Sequence, residues 1–152
     1  MMRRGMRPES FTILMADDDP DDRFLVREAL EEAQVRHDSH FVNDGDALLD
    51  YLYRRGAYAD ATASPRPCLI LLDLNMPRTD GREALRQIKG DPDLRRIPVV
   101  VLTTSNAEED VRRCYDLGAN AYITKPMTFE ALVVVMKRLS QFWFEIVQLP
   151  LE

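Results

Sequence analysis

The stretch Leu69-Ile70-Leu71-Leu72-Asp73-Leu74-Asn75-Met76-Pro77 decides the fold. Together with Cys68 it opens as a short, uninterrupted apolar run and closes on a carboxylate, followed by the turn formers Asn75 and Pro77. A run of this length reads as a strand buried on both faces, with Asp73 at its carboxyl end.

The same grammar recurs on either side. Phe11–Ala16 ends at Asp17, Ile97–Leu102 at Thr103, and Ala121–Thr124 at Lys125. Ser39–Asn43 is a weaker strand. Helical stripes separate these runs: Val26, Ala29, Leu30 and Ala33; Leu48, Tyr51 and Leu52; Gly81, Ala84, Leu85 and Ile88; Val111, Cys114, Tyr115 and Gly118; Phe129, Leu132, Val133 and Met136. Asp19 is placed to cap the first helix, with Pro20 at its first position, and Asn106 to cap the fourth. Strand and helix therefore alternate five times. Wholly apolar strands in that order predict a (βα)5 parallel sheet covered by helices on both faces. Gly56–Pro67 has no helical period and is expected to be an exposed loop.

A length of 152 residues suits one domain. The division expected is a flexible arm over 1–10, the folded domain over 11–141 and a carboxyl-terminal extension over 142–152. A net charge of −6 argues against nucleic acid as a partner, since phosphate binding needs a basic surface. No apolar run is long enough to span a bilayer, and no apolar stretch follows the basic start to make a signal peptide. Cys68 and Cys114 both fall in apolar patterns and read as free thiols, which fits a cytoplasmic location. His37 and His40 lie near the second strand without ligand or catalytic spacing. They are expected to be structural or exposed.

In an open parallel sheet, ligands bind at the carboxyl ends of the strands. There the chain delivers Asp17, Asp18, Asp73, Thr103 and Lys125 to one rim. Clustered carboxylates repel unless a cation joins them, and few carboxylates with room for water suit Mg²⁺. A carboxylate can take a phosphoryl group as an aspartyl phosphate, with a metal and a lysine neutralising the transferring charge. Each residue also has a plainer reading. The aspartates of 17–22 could only decorate a helix start, Asp73 could belong to a turn, Thr103 could bond local backbone, and Lys125 could be a solvated loop lysine. Their joint placement at successive strand ends favours the phosphoryl chemistry.

Ile13–Asp19, Leu69–Pro77 with Gly81, Val99–Ser105 and Gly118–Pro126 together resemble the receiver domains of response regulators. The resemblance runs from Ile13 to about Leu139. It implies the 2-1-3-4-5 doubly wound, flavodoxin-like sheet. It implies Asp73 as phosphoacceptor, with Mg²⁺ on Asp18, Asp73 and the backbone carbonyl of Asn75, and with Asp17 acting through water. Thr103 and Lys125 would hold the phosphoryl oxygens, Tyr122 would swing inward as Thr103 moves, and the Lys125–Pro126 peptide would be cis. The phosphodonor would be a histidine kinase. The ending Phe142–Pro150 and the long loop before the third strand resemble response regulators paired with phytochrome kinases. Thr104 departs from the alanine common in the family.

The rival to a signalling receiver is a Mg²⁺-dependent phosphohydrolase. Such enzymes commonly place an acid two residues after the nucleophile. Asn75 stands there and cannot move a proton, so turnover is not expected. A receiver-like module that is never phosphorylated is a further alternative. The last helix is apolar on two sides. Phe129, Leu132, Val133, Met136 and Leu139 should face the sheet, leaving Val134, Val135, Phe142, Trp143 and Ile146 for another surface. A two-fold homodimer is the first expectation, beside a tail folded on its own core or docking to a kinase helix.

Overall fold

A computed structural model of the chain describes residues 11–150; the arm expected at 1–10 and the last two residues of the extension lie outside the described residues. Five parallel strands form one sheet in the order β2-β1-β3-β4-β5. They are β1 (Phe11–Ala16), β2 (His37–Val42), β3 (Leu69–Leu72), β4 (Val99–Thr103) and β5 (Ala121–Thr124). The helices are α1 (Pro20–Glu32), α2 (Gly45–Tyr53), α3 (Gly81–Gly90), α4 (Glu108–Asp116) and α5 (Phe129–Ser140).

Strand alternation builds two cores. Leu14 and Ala16, Ile70 and Leu72, and Val99 and Val101 point to one face and pack with α2, α3 and Cys114 of α4. Ile13 and Met15, Leu69 and Leu71, and Val100 and Leu102 point to the other, against α1 and α5. Register follows the pleat: Ile13 lies opposite Leu69, and Ile70 opposite Val99. The doubly wound sheet expected from the sequence is the sheet observed.

Helix starts carry their own signals. Asp19 accepts from the Asp21 amide at 2.9 Å with Pro20 in the first turn, Asp80 accepts from Arg82 and Glu83, and Thr128 accepts from Ala131. Asn106 is not the cap of α4. Ala107 holds that position without a side-chain bond, and the Ser105 hydroxyl is the group that accepts from the Ala107 amide, at 3.4 Å. Glu108, Glu109 and Asp110 complement the exposed amides of the first turn instead. Tyr115 is 49% exposed, so only Cys114 of the expected α4 stripe is buried.

The segment before β3 is less free than its composition predicts. Gly56–Tyr58 forms a 3-10 turn, Ser64 is buried, and the Tyr51 hydroxyl donates to the Pro65 carbonyl at 2.8 Å. The His37 side chain is nearly buried and sits 3.2 Å from Glu31, a structural role.

The carboxyl-terminal helix changes pitch. After α5, Gln141–Ile146 continues as a π-helical segment in which the Val147 amide donates to the Phe142 carbonyl at 3.0 Å. Ser140 and Phe144, four residues apart, are both buried along this stretch. Phe144 stacks on Phe11 with ring centroids 3.9 Å apart and planes within 4°. Two sequence expectations change accordingly. Val135 and Trp143 pack against the α1–α5 core, while Phe129, at the helix start before contact with the sheet, is 36% exposed. Val134, Phe142 and Ile146 remain outward. Among the described residues no helix is long and apolar enough to cross a membrane.

Candidate phosphoryl-acceptor site

The carboxyl ends of β1, β3, β4 and β5 converge. The Asp73 amide donates to the Ala16 carbonyl at 3.0 Å, and the Lys125 amide to the Thr103 carbonyl at 2.7 Å, so backbone ladders carry each functional residue into place. Asp17 is fully buried, Asp73 is buried and Asp18 is exposed at the rim. Carboxylate oxygens of these three lie within 4.8 Å of one another.

Lys125 reaches across this cluster. Its Nζ lies 2.8 Å from Asp17 Oδ2, 2.6 Å from Asp22 Oδ2 and 3.7 Å from Asp73 Oδ2. Burial raises the Asp17 pKa, opposed by the hydrogen bond from Lys125. Burial alone would lower the lysine; the bonds to Asp17 and Asp22 outweigh it and raise its pKa. The ammonium is therefore a fixed positive charge beside Asp73. Asp17 is further held by the Asp19 amide on its carboxylate at 2.9 Å and by Arg23 on its carbonyl at 2.6 Å.

Thr103 closes the inner side. It is fully buried, and its Oγ1 has no hydrogen-bond partner among the described residues. An orphaned buried hydroxyl costs about 1–3 kcal/mol, so it marks a place built for a polar group. Three carboxylates suit a hard, oxygen-preferring dication, and a free donor with a nearby ammonium suits an oxyanion. The residues present fit Mg²⁺ and a phosphoryl group together.

Gly81 makes the geometry of the Asp73 strand end feasible. A Cβ there would lie 2.3 Å from the Asp73 carbonyl oxygen and 2.6 Å from Leu74 Cα. Asn75 sits on the exposed turn that follows Asp73. The Lys125–Pro126 peptide is trans, not cis as the resemblance implied. Trans is the intrinsically favoured isomer even before proline, and Lys125 meets its carboxylates from it.

Sequence reasoning brought Asp17, Asp18, Asp73, Thr103 and Lys125 to one rim, and the structure does the same. It did not single out Asp22, which counted only as one more acid at a helix start. Nor did it find the network beyond Thr103. The Tyr122 hydroxyl donates to the Ser105 carbonyl at 2.8 Å, and the Ser105 hydroxyl donates to Asp110 at 2.6 Å. Arg82 on α3 completes it with a 2.8 Å bond to Asp110. The bond from Ser105, then that from Arg82, lowers the Asp110 pKa.

Comparison with known proteins agrees with this geometry. Response regulator Rcp1 of Synechocystis is 46% identical over 138 residues, covering 91% of this chain and 92% of Rcp1. The phosphorylated cyanobacterial phytochrome response regulator RcpA superposes with a TM-score of 0.86 at 44% identity, covering 93% of this chain and 99% of RcpA. The Mn²⁺-bound form of Rcp1 gives a TM-score of 0.83 at 45% identity with the same coverage. RPA3017, from red light signaling of R. palustris, gives 0.88 at 37% identity, again with 93% and 99% covered. Residues 13–137 match the response regulator receiver domain, and the chain belongs to that family.

Proposed function

We propose that the chain accepts a phosphoryl group on Asp73 from a phosphohistidine of a histidine kinase and signals through the conformational change that follows. The observation that carries this reading is the cluster of Asp17, Asp18 and Asp73 within 4.8 Å, with Lys125 Nζ 3.7 Å from Asp73. An Asp73 oxygen attacks phosphorus; the phosphorus–nitrogen bond breaks, and the imidazole leaves with its electron pair and takes up a proton. Asp18, Asp73 and the Asn75 carbonyl would hold Mg²⁺ directly, with Asp17 behind a water. When bound, the ion neutralises charge on the transferring oxygens. Lys125 takes one phosphoryl oxygen and the Thr103 hydroxyl another. Thr103 then draws inward, and Tyr122, bonded to the carbonyl two residues along at Ser105, follows. With Asn75 in place of an acid, nothing at that position activates water, which favours a lasting signal over turnover.

The likeness to RcpA, Rcp1 and RPA3017 supports a phytochrome-type kinase as partner. The outward Val134, Phe142 and Ile146 support a homodimer through α5 and the tail. The charge of −6 disfavours nucleic acid, and a chain with only two cysteines, Cys68 and Cys114, fits the cytoplasm.

The test is intact mass after incubation with Mg²⁺ and acetyl phosphate. One metal-dependent phosphoryl adduct is expected in the wild type and none in Asp73→Asn. No adduct, under conditions that label a control receiver, would overturn the assignment.

A further inference from the structure

Lys125 has a second short carboxylate partner outside the three-aspartate cluster. Asp22, in the first turn of α1, approaches its Nζ to 2.6 Å, closer than Asp17 and more than an ångström closer than Asp73. The two partners differ in what losing the lysine would cost. Asp17 is fully buried, so withdrawing the ammonium would leave an uncompensated charge in the interior. The Asp22 side chain is 30% exposed and lines an open groove of about 100 Å³ between α1 and the β5–α5 loop, so water can take the place of the lysine.

A phosphoryl group on Asp73 carries close to two negative charges and three strong acceptor oxygens. It outcompetes a single carboxylate for the ammonium, and the partner that gives way is the one that can be rehydrated. We propose that Asp22 is a positioning residue that tethers Lys125 in the unphosphorylated receiver and releases it to the phosphoryl group, so that Asp22 sets how readily Asp73 is modified. The inference rests on Asp73 as phosphoacceptor and deepens that reading. The tether is an interaction of the unphosphorylated state alone; removing it moves the equilibrium toward the phosphorylated state.

The experiment compares wild type, Asp22→Asn and the control Asp21→Asn. Asp21 is the exposed neighbour of Asp22 in the first turn of α1, so its change removes the same formal charge from the same helix turn. Affinity for beryllofluoride, a phosphoryl mimic, is read by fluorine NMR with Mg²⁺ present, and the acetyl phosphate adduct by intact mass. Asp22→Asn should bind beryllofluoride about 3-fold to 10-fold more tightly, the equivalent of a partly buried ion pair. Asp21→Asn should change affinity less than about 2-fold. The gain from Asp22→Asn should vanish in a Lys125→Gln background, which a general effect on helix α1 would not explain. Unchanged or weaker binding by Asp22→Asn, with a wild type that is labelled normally, overturns the tether. Equal gains from both aspartate changes overturn it too, in favour of bulk charge. A wild type that takes neither beryllofluoride nor a phosphoryl adduct overturns the parent reading, and the tether with it.

Discussion

Helix α3 begins and ends with glycine, and the same substitution should have opposite effects at its two ends. At Gly81 an added Cβ would meet backbone: 2.3 Å to the Asp73 carbonyl oxygen, 2.6 Å to Leu74 Cα and 3.1 Å to the Asp73 carbonyl carbon. An ordinary contact needs about an ångström more, and neither partner is a flexible side chain that can turn away. The Gly81 amide also donates to the Leu74 carbonyl at 2.9 Å, so α3 cannot withdraw without losing that bond. At Gly90 a Cβ meets nothing within 4 Å among the described residues, and the residue is exposed. Helix propensity alone makes alanine better at both ends by up to about 1 kcal/mol. Overpacking costs about 1–3 kcal/mol and dominates at Gly81. Gly81→Ala should therefore lower stability by about 2 kcal/mol, moving the urea midpoint down by about 1 M. Gly90→Ala should raise it by about 0.5 kcal/mol. Urea unfolding followed by circular dichroism measures both. Acetyl phosphate labelling should slow by at least about tenfold in Gly81→Ala alone, since Asp73 and Leu74 are the atoms displaced. A Gly81→Ala protein within about 0.5 kcal/mol of wild type, or two substitutions of the same sign, would refute the close-approach argument.

Two further outcomes follow from groups described above. Thr103→Val replaces the orphaned buried hydroxyl with a methyl of similar size, so the unphosphorylated protein should gain about 1 kcal/mol in urea unfolding while beryllofluoride affinity falls; a loss of stability would mean that Oγ1 has a partner in solution. Burial first, and the charge of Asp38 second, push the Tyr51 hydroxyl up to about 12 from an ordinary value of 10.0. The fold holds the neutral form, so this contribution is complete below about pH 10 and is lost as pH rises toward about 12, at most about 2–3 kcal/mol. Tyr51→Phe should lack that alkaline decline, and equal decline in both proteins between about pH 9.5 and pH 11.5 would assign it to other groups.

What the sequence made legible were positions fixed by a run length and a parity. A strand buried on both faces must be apolar throughout, so the first polar residue after it marks the carboxyl end. That is why Asp17, Asp73 and Thr103 could be placed on one rim; Lys125 follows the half-buried edge strand β5 and was placed there by the alternation of strand and helix. Asp22 was not legible in the same way, because its contact with Lys125 depends on the rotation of α1 against β5, and an acid in a first helical turn is explained equally well by the helix dipole. The link from Ser105 through Asp110 to Arg82 depends on the spacing of α3 and α4, which no local pattern encodes. The π-helical turn after Ser140 escaped for another reason. Its residues are acceptable in an α-helix, and the stacking of Phe144 on Phe11 that accompanies the wider pitch joins residues far apart in the chain. The trans Lys125–Pro126 bond corrects an inference drawn from resemblance, not from a residue's own chemistry.

The charge balance at the rim connects these points. Among the described residues, Asp17, Asp18, Asp22 and Asp73 outnumber the Lys125 ammonium and the Arg23 guanidinium beside them, so the cluster is under-neutralised, and Asp17 is fully buried. A site selected only for stability would replace the buried acid and the orphaned Thr103 hydroxyl with apolar groups, which commonly stabilises a core. Keeping them makes sense if the missing charge and the missing acceptor arrive together. A dication supplies the first and a phosphoryl group the second. Each would then bind better with the other present, because the dication would offset the charge the phosphoryl group adds and the phosphoryl group would give Thr103 and Lys125 their acceptor. On the proposed tether the unphosphorylated state is held by the weaker arrangement, in which Lys125 is shared with the partly exposed Asp22. On that proposal, the difference between two partners of one lysine, one buried and one rehydratable, decides which of them gives way when Asp73 is modified.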